Sequence, residues 1–337
     1  MKTVFDNRYQ LAELPYFRLL DGERLVLSSP ELAPIVDMHT HFALTFVLPN
    51  LVDLEAPTPY VQHYLPAHRR LDLDVYLNKN FSRRDLVRLK RDLTLCSFTP
   101  WGMRRSHTAA NLSTEMADLG ISHSAVLPID FPFFLSHNAR TFLRVASRRR
   151  EFIGFGSVHP RMRNIARKLD QQIGQGARGI KVHPAAQMVA PEDPCALELY
   201  HLCGQRKLPV LWHCGPVGIE TRRGRELTQV ARYRLPIEQC RETTFILGHA
   251  GALQWEQALD LAVARENVYL ELSSQSLTAL REIFRRADPQ RLLFGTDWPF
   301  YHQAIQLAKV FLATEGNATL RRLALYGNAA RLFGLPA

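Results

Sequence analysis

Two histidines one residue apart, His39 and His41 in the stretch IVDMHTHF (35–42), are the first residues in the chain that point to chemistry. The residues before them are mostly apolar, so the stretch reads as a strand. Successive side chains on a strand face opposite sides, and residues two apart share a side. The two imidazoles therefore converge, and neutral imidazole nitrogen is a good ligand for a divalent cation. Two ligands do not make a site. Four later stretches offer more donors: Lys181 and His183 in ARGIKVHP (177–184), His213 in LPVLWHCG (208–215), His249 in TTFILGHAG (243–251) and Asp297 in RLLFGTDWPF (291–300). Three imidazoles and a carboxylate form a nitrogen and oxygen set suited to zinc, manganese or iron.

These residues share a context. Each stretch is a short apolar run bounded by Gly or Pro, which reads as a buried strand. HSAVLPI (123–129), FIGFGSVHP (152–160) and NVYLELSS (267–274) bring the number of such runs to eight. Between them lie MRNIARKLDQQIGQG, EDPCALELYHLCGQRK and QWEQALDLAVAREN, whose apolar residues recur at helical spacing. Eight strand–helix units predict an α/β fold, a closed (β/α)8 barrel of parallel strands. An open doubly wound sheet would carry a Gly-rich turn after its first strand, where this chain has His-x-His. In a parallel barrel all strand C-termini meet at one face, so ligands far apart in sequence would meet in space.

One gap breaks the rhythm. Residues 42–118 separate the first two strands, far more than a usual connection. The expectation is one domain over 1–337, with a lead-in at 1–34, a partly helical insertion (42–118) over the barrel mouth and closing helices at 302–337. The insertion carries Arg104 and Arg105 beside Trp101; arginine suits carboxylate recognition, and a surface position explains the pair equally well. Trp298, just past Asp297, reads as a wall of the site or as packing. Asp37 shares the parity of the two histidines and reads as support or packing. A lone His at a strand end, such as His159, is usually structural. Chance accounts poorly for ionisable groups at the same end of five of eight apolar strands, because each costs stability unless a function retains it.

VDMHTH, GIKVHP, PVLWHCG, ILGHAG and LLFGTDWP, in this order and with the ending LYGNAARLFGL, resemble the amidohydrolase superfamily. The nearest branch is the amidohydrolase-related one that includes aminocarboxymuconate semialdehyde decarboxylase. The resemblance runs from about 35 to 335, apart from the insertion. It implies a TIM barrel in which His39, His41, His213 and Asp297 hold one divalent metal, zinc first and manganese or iron as alternatives. It implies that His249 acts as the acid/base group, with Asp297 sharing proton transfer, and that Lys181 and His183 face the substrate. A carboxylated Lys181 bridging a second metal is the minority pattern. Relatives of this kind are often dimers, so a homodimer is an expectation by analogy alone.

Such a site suits hydrolysis of an ester, lactone or amide carbonyl through a metal-activated water. Non-oxidative decarboxylation of an aromatic or unsaturated carboxylic acid and hydration are alternatives, and a non-catalytic binding barrel is a third class. Loops around a shared metal choose among them.

The formal net charge is +10, with 46% hydrophobic and 22% charged residues among 337. The composition is that of a soluble globular protein. The basic residues are dispersed and form no nucleic-acid motif, so the charge reads as solvated helix faces or as a field for a small anionic substrate. Five cysteines without a Cys-x-x-Cys pair read as free thiols in a reducing compartment. No stretch is apolar for long enough to span a membrane, and the start lacks a signal-peptide pattern. The expected location is therefore cytoplasmic, and the sequons at Asn80, Asn111 and Asn317 read as chance matches.

Overall fold

All eight apolar runs form strands: β1 (Ile35–Thr40), β2 (Ile121–Val126), β3 (Phe152–Gly154), β4 (Ile180–Val182), β5 (Val210–His213), β6 (Phe245–Gly248), β7 (Val268–Glu271) and β8 (Leu292–Leu293). The structure, a computed structural model, describes residues 2–45, 49–131 and 137–336. Neighbouring strands pair in parallel, in the orders β1-β2-β3 and β4-β5-β6-β7-β8. Two bridges join these sheets into a closed barrel, Gly156 with Ile180 and Thr40 with Trp298. Backbone bonds reinforce the second seam: Met38 N–H donates to Phe294 O, and Asp297 N–H to His39 O, both at 2.8 Å.

The ladders are shorter than the apolar runs, most of all at β8. His39, Lys181 and His213 stand in the last residues of their strands, whereas His41, His183, His249 and Asp297 lie just past the ladder. Two of these backbones turn sharply: Asp297 has φ 62° and His249 φ 55°. A non-glycine residue rarely holds this left-handed conformation, and such strain gathers at functional sites.

Barrel closure depends on two apolar layers. Val36, Met38, Ala125, Ile153, Leu211, Ile246 and Leu293 form one cluster, with Ala329 and Phe333 of the helix Asn328–Phe333 packed into it. Outside the strands, Trp212 stacks on Phe245 at 4.1 Å and meets Tyr200 edge-on at 5.1 Å. The three amphipathic segments form the helices Ile165–Gly174, Pro194–Gln205 and Trp255–Ala264. The second starts where Asp193 caps the N–H of Cys195 and Pro194 takes the first turn.

Strand β1 departs from simple alternation. Its register against β2 slips between Asp37 and Thr40, so one extra residue bulges. Met38 packs in the inner cluster, yet His39 also reaches inward, bonding Glu271 of β7. The bulge separates Asp37 from the histidines despite their shared parity. Its carboxylate turns to Thr296 and Gln303, and it also accepts the N–H of His39 at 3.0 Å.

Residues 42–118 hold the helices Arg83–Thr94 and Ala109–Asp118, and the second runs directly into β2. Backbone N–H groups of Tyr64, Leu65 and Leu77 donate to Pro299, Phe300 and Ser274, which follow β8 and β7. The lead-in contributes an antiparallel hairpin, Phe17–Leu20 with Arg24–Leu27, and a short strand, Val4–Phe5, paired to Leu71–Asp72. No helix among the described residues is long and apolar enough to cross a membrane.

Candidate metal centre

The strand ends gather a buried cluster of ionisable groups. Nε2 of His41 lies 3.6 Å, and Nε2 of His39 3.9 Å, from Oδ1 of Asp297. The two rings meet edge-on at 5.2 Å. His39, His41 and Asp297 can each turn one ligand atom to a common point, these atoms lying within 4.8 Å of one another. The Nδ1 atoms of both rings point elsewhere, His39 to Glu271 at 2.6 Å and His41 to the carbonyl of Leu127 at 2.7 Å. Each ring is thus held at one nitrogen while the other faces the carboxylate.

The donor set fits a divalent cation on chemical grounds. Burial pushes the imidazoles of His39, His213 and His249 well below their ordinary pKa. Neutral rings are what a metal ligates. Burial pushes the Asp297 carboxyl upward, opposed by its bond to His41 and by the charge of Lys181. A cation at that point would favour the carboxylate.

The other expected residues surround this trio. His249 stacks on His39 at 4.5 Å and bonds Ser273 Oγ through Nδ1 at 2.8 Å. His213 lies edge-on to His249 at 4.9 Å and stacks flat on His183 at 4.0 Å. It borders the trio but is not among the residues whose ligand atoms fall within the common 4.8 Å. Lys181 Nζ is 3.3 Å from His39 Nε2. Burial pushes the lysine down, to about 8, while Glu271 and Asp297 hold it up. Phe300 stands edge-on to His41 at 6.4 Å.

Three expected substrate contacts lie elsewhere. Arg104 is buried, and its guanidinium donates to the carbonyls of Leu44, Cys96 and Thr99. It ties the insertion together and has no part in the histidine network. Arg105 is exposed and borders a surface hollow with Arg88, Arg91 and Cys96. Trp298 is fully buried, packs edge-on to His107 at 6.0 Å and donates its indole N–H to Glu115 at 3.3 Å.

Glu271 and Ser273 belong to the cluster and were missed in the sequence. Glu271 is fully buried at the end of β7 and forms a second group of metal-capable atoms with His39 and His249. The signal was present: NVYLELSS carries an acid in an otherwise apolar strand, at the end where the other ionisable groups stand. Gly295 makes room for it. A Cβ there would lie 2.2 Å from Glu271 Oε1 and 2.9 Å from His39 Cβ.

A family model described as Amidohydrolase matches residues 36–335. No curated protein matches the sequence significantly. Solved structures match in fold. An uncharacterized TIM-barrel protein from Bordetella bronchiseptica is 16% identical, with a TM-score of 0.62 over 89% of this chain and 98% of that one. A 2,6-dihydroxybenzoate decarboxylase from Rhizobium is 16% identical, with a TM-score of 0.57 over 89% and 99%. A probable 2-pyrone-4,6-dicarboxylic acid hydrolase from Acinetobacter baumannii, with citric acid bound, is 13% identical, with a TM-score of 0.55 over 90% and 100%. At these identities the likeness is one of fold.

Proposed function

We propose, from the premise that this chain belongs to the amidohydrolase family, that it is a metal-dependent hydrolase acting on the ester, lactone or amide carbonyl of a small anionic molecule. The observation that carries this reading is the convergence of His39, His41 and Asp297 on one point, with His249 stacked on His39 beside them. His39, His41 and Asp297 would hold one divalent ion, zinc first, with His213 swinging in from its stack on His183 as a further ligand. Such an ion supplies Lewis acidity and lowers the pKa of water toward about 7 in the best zinc sites.

The protein's own groups do the rest. Asp297 takes the proton of the attacking water, and its bonded, left-handed backbone keeps the carboxylate aimed. His249 shuttles a proton to the leaving group through its free nitrogen, with its other nitrogen anchored on Ser273. Lys181 places a cationic group against an anionic substituent of the substrate. Two of the structural neighbours, by their names, act on carboxylic acids. The shared fold makes carboxylate-bearing lactones and aromatic acids the first compounds to try.

Decarboxylation is the second reading. It is favoured by the depth of the cluster, where His39 is 1% exposed and His249 3%. A water-poor site suits proton delivery from His249 to carbon more than attack by water. The test is metal analysis of the purified chain followed by assays of zinc-loaded protein on pyrone dicarboxylates and on hydroxybenzoates. About one divalent ion per chain and ring opening of the lactone, both lost in Asp297→Ala, are expected. Carbon dioxide release without lactone opening would replace the hydrolase reading by the lyase one. A chain that takes up no metal would sink both.

A further inference from the structure

We infer that Glu271 is a positioning residue whose single carboxylate fixes the protonated nitrogen of two histidines at once, His39 directly and His249 through Ser273. This goes beyond the ligand set, because it concerns a residue that would not itself hold the ion.

The assignment follows from counting donors. Oε2 of Glu271 faces Nδ1 of His39 at 2.6 Å, the backbone N–H of His249 at 3.0 Å and the hydroxyl of Ser273 at 2.9 Å. Oε1 accepts the backbone N–H of Ser273 at 2.6 Å. Backbone N–H groups only donate, and an ionised carboxylate only accepts. Burial pushes this carboxyl up, to about 8, while the N–H groups of His249 and Ser273 and the Lys181 charge oppose the shift. With both oxygens facing donors the carboxylate form fits the site, and His39 then presents its proton on Nδ1. The opposite arrangement puts the proton on His39 Nε2. That would set an N–H against the Lys181 amine, whose nitrogen lies 3.3 Å away. A lysine ammonium offers only donors, so the facing nitrogen has to accept.

The second branch uses the serine as an adaptor. Its hydroxyl has one proton, and that proton goes to the carboxylate. The oxygen must then accept from its other partner, Nδ1 of His249 at 2.8 Å. His249 is left with its lone pair on Nε2. The same carboxylate thus prepares a ligand nitrogen on one ring and a basic nitrogen on the next. A carboxylate behind a histidine sets the ring's tautomer and raises its basicity.

The consequence for metal affinity rests on the metal-centre reading; the proton positions do not. The test uses the full chain, stripped of metal and labelled with 15N-histidine, and reads the ring nitrogens by 15N–1H correlation spectra. Zinc affinity is measured in parallel by competition with a chromogenic chelator. The wild type is expected to show Nδ1–H on both His39 and His249. Glu271→Gln, which replaces two acceptors by one acceptor and one donor, should lose at least one of these signals and bind zinc roughly 10- to 100-fold more weakly. Ser273→Ala should disturb His249 alone, and Ser273→Thr should restore it. That pair keeps the test alive if Glu271→Gln fails to fold.

An Nε2–H signal on His39 or His249 in the wild type would overturn the inference. So would Glu271→Gln with both Nδ1–H signals and unchanged zinc affinity. A wild type with both Nδ1–H signals and no zinc binding would sink the metal centre while upholding the role of Glu271.

Discussion

Among the described residues two buried clusters of histidine and carboxylate stand out, and they differ in how their side chains are aimed. The first is the barrel-end group of His39, His41, His249 and Asp297. The second joins Arg8 of the lead-in, His63 of the insertion, Glu115 of the helix before β2 and His302 at the start of the helix Gln303–Ala313. In the second cluster most of the polar atoms are engaged by partners within the protein, although Arg8 Nε is buried without one. Glu115 accepts from His63 at 2.8 Å, from the Trp298 indole at 3.3 Å and from the N–H of Gln303 at 2.7 Å. The other nitrogen of His63 faces Arg8 at 3.2 Å, and Nδ1 of His302 accepts the N–H of Ala304 at 3.1 Å. In the first cluster the Nδ1 atoms of His39, His41 and His249 are engaged, and the Nε2 atoms of His39 and His41 both face Oδ1 of Asp297. Residue type does not distinguish the two; the convergence of two imidazole nitrogens on one carboxylate oxygen does.

Substitution should separate the clusters most sharply. His39→Ala is expected to lower zinc affinity and activity by more than about 100-fold, given what loss of a ligand does beyond loss of its support. Glu115→Ala should leave metal content unchanged and cost about 3 kcal/mol of stability by orphaning a buried network, read by urea unfolding. If the two variants exchanged phenotypes, the assignment of roles would be reversed.

Acid should act next, at a histidine beside the second region. His107, edge-on to Trp298 and Tyr64, is pushed by burial from 6.5 to about 3. An unfolded chain takes up this proton near 6.5 and the folded one only near 3. Between those values the unfolded state binds more protons, so stability falls as pH falls, by up to about 1.4 kcal/mol per pH unit for this group. Denaturant titrations of wild type and His107→Gln across that window check it. An equal slope in both would exclude His107 as the source.

A smaller effect sharpens the first region. Gly295→Ala would drive a methyl into Glu271 and His39, so zinc affinity should fall by roughly tenfold with the fold intact. The smallest expected effect is that of Arg105→Ala. With its side chain exposed and outside the cluster, KM should stay within about twofold of wild type, as for most surface substitutions. A large rise in KM would bring the insertion's arginine back into substrate binding.

The strands were legible because each apolar run is long enough to be buried and is punctuated by Gly or Pro. Their ionisable ends were legible because polar groups stand out against such runs. His39, His41, His249 and Asp297 stand out this way and lie together at the barrel end, and Glu271 is the one that the same rule, applied less strictly, passes over. Arg104 shows the opposite failure. Its charge suggested a substrate, whereas the fold uses it to satisfy three carbonyls of the insertion. Nothing in local sequence tells an arginine which acceptors the chain will bring to it.

By itself the sequence determined the eight strands, their helices and the end of the barrel where chemistry would gather, because periodicity and punctuation are local properties. The tertiary structure alone decided which way the side chains turn. The bulge in β1 carries His39 inward directly after Met38 and sends Asp37 to Thr296 and Gln303 instead. Closure of the barrel then sets the β8 run beside β1 and, across Gly295, brings the end of β7 within reach of it, so that an acid 232 residues from His39 in sequence becomes its hydrogen-bond partner. Such pairings depend on register and closure, which are properties of the whole sheet and are written in no single stretch of chain.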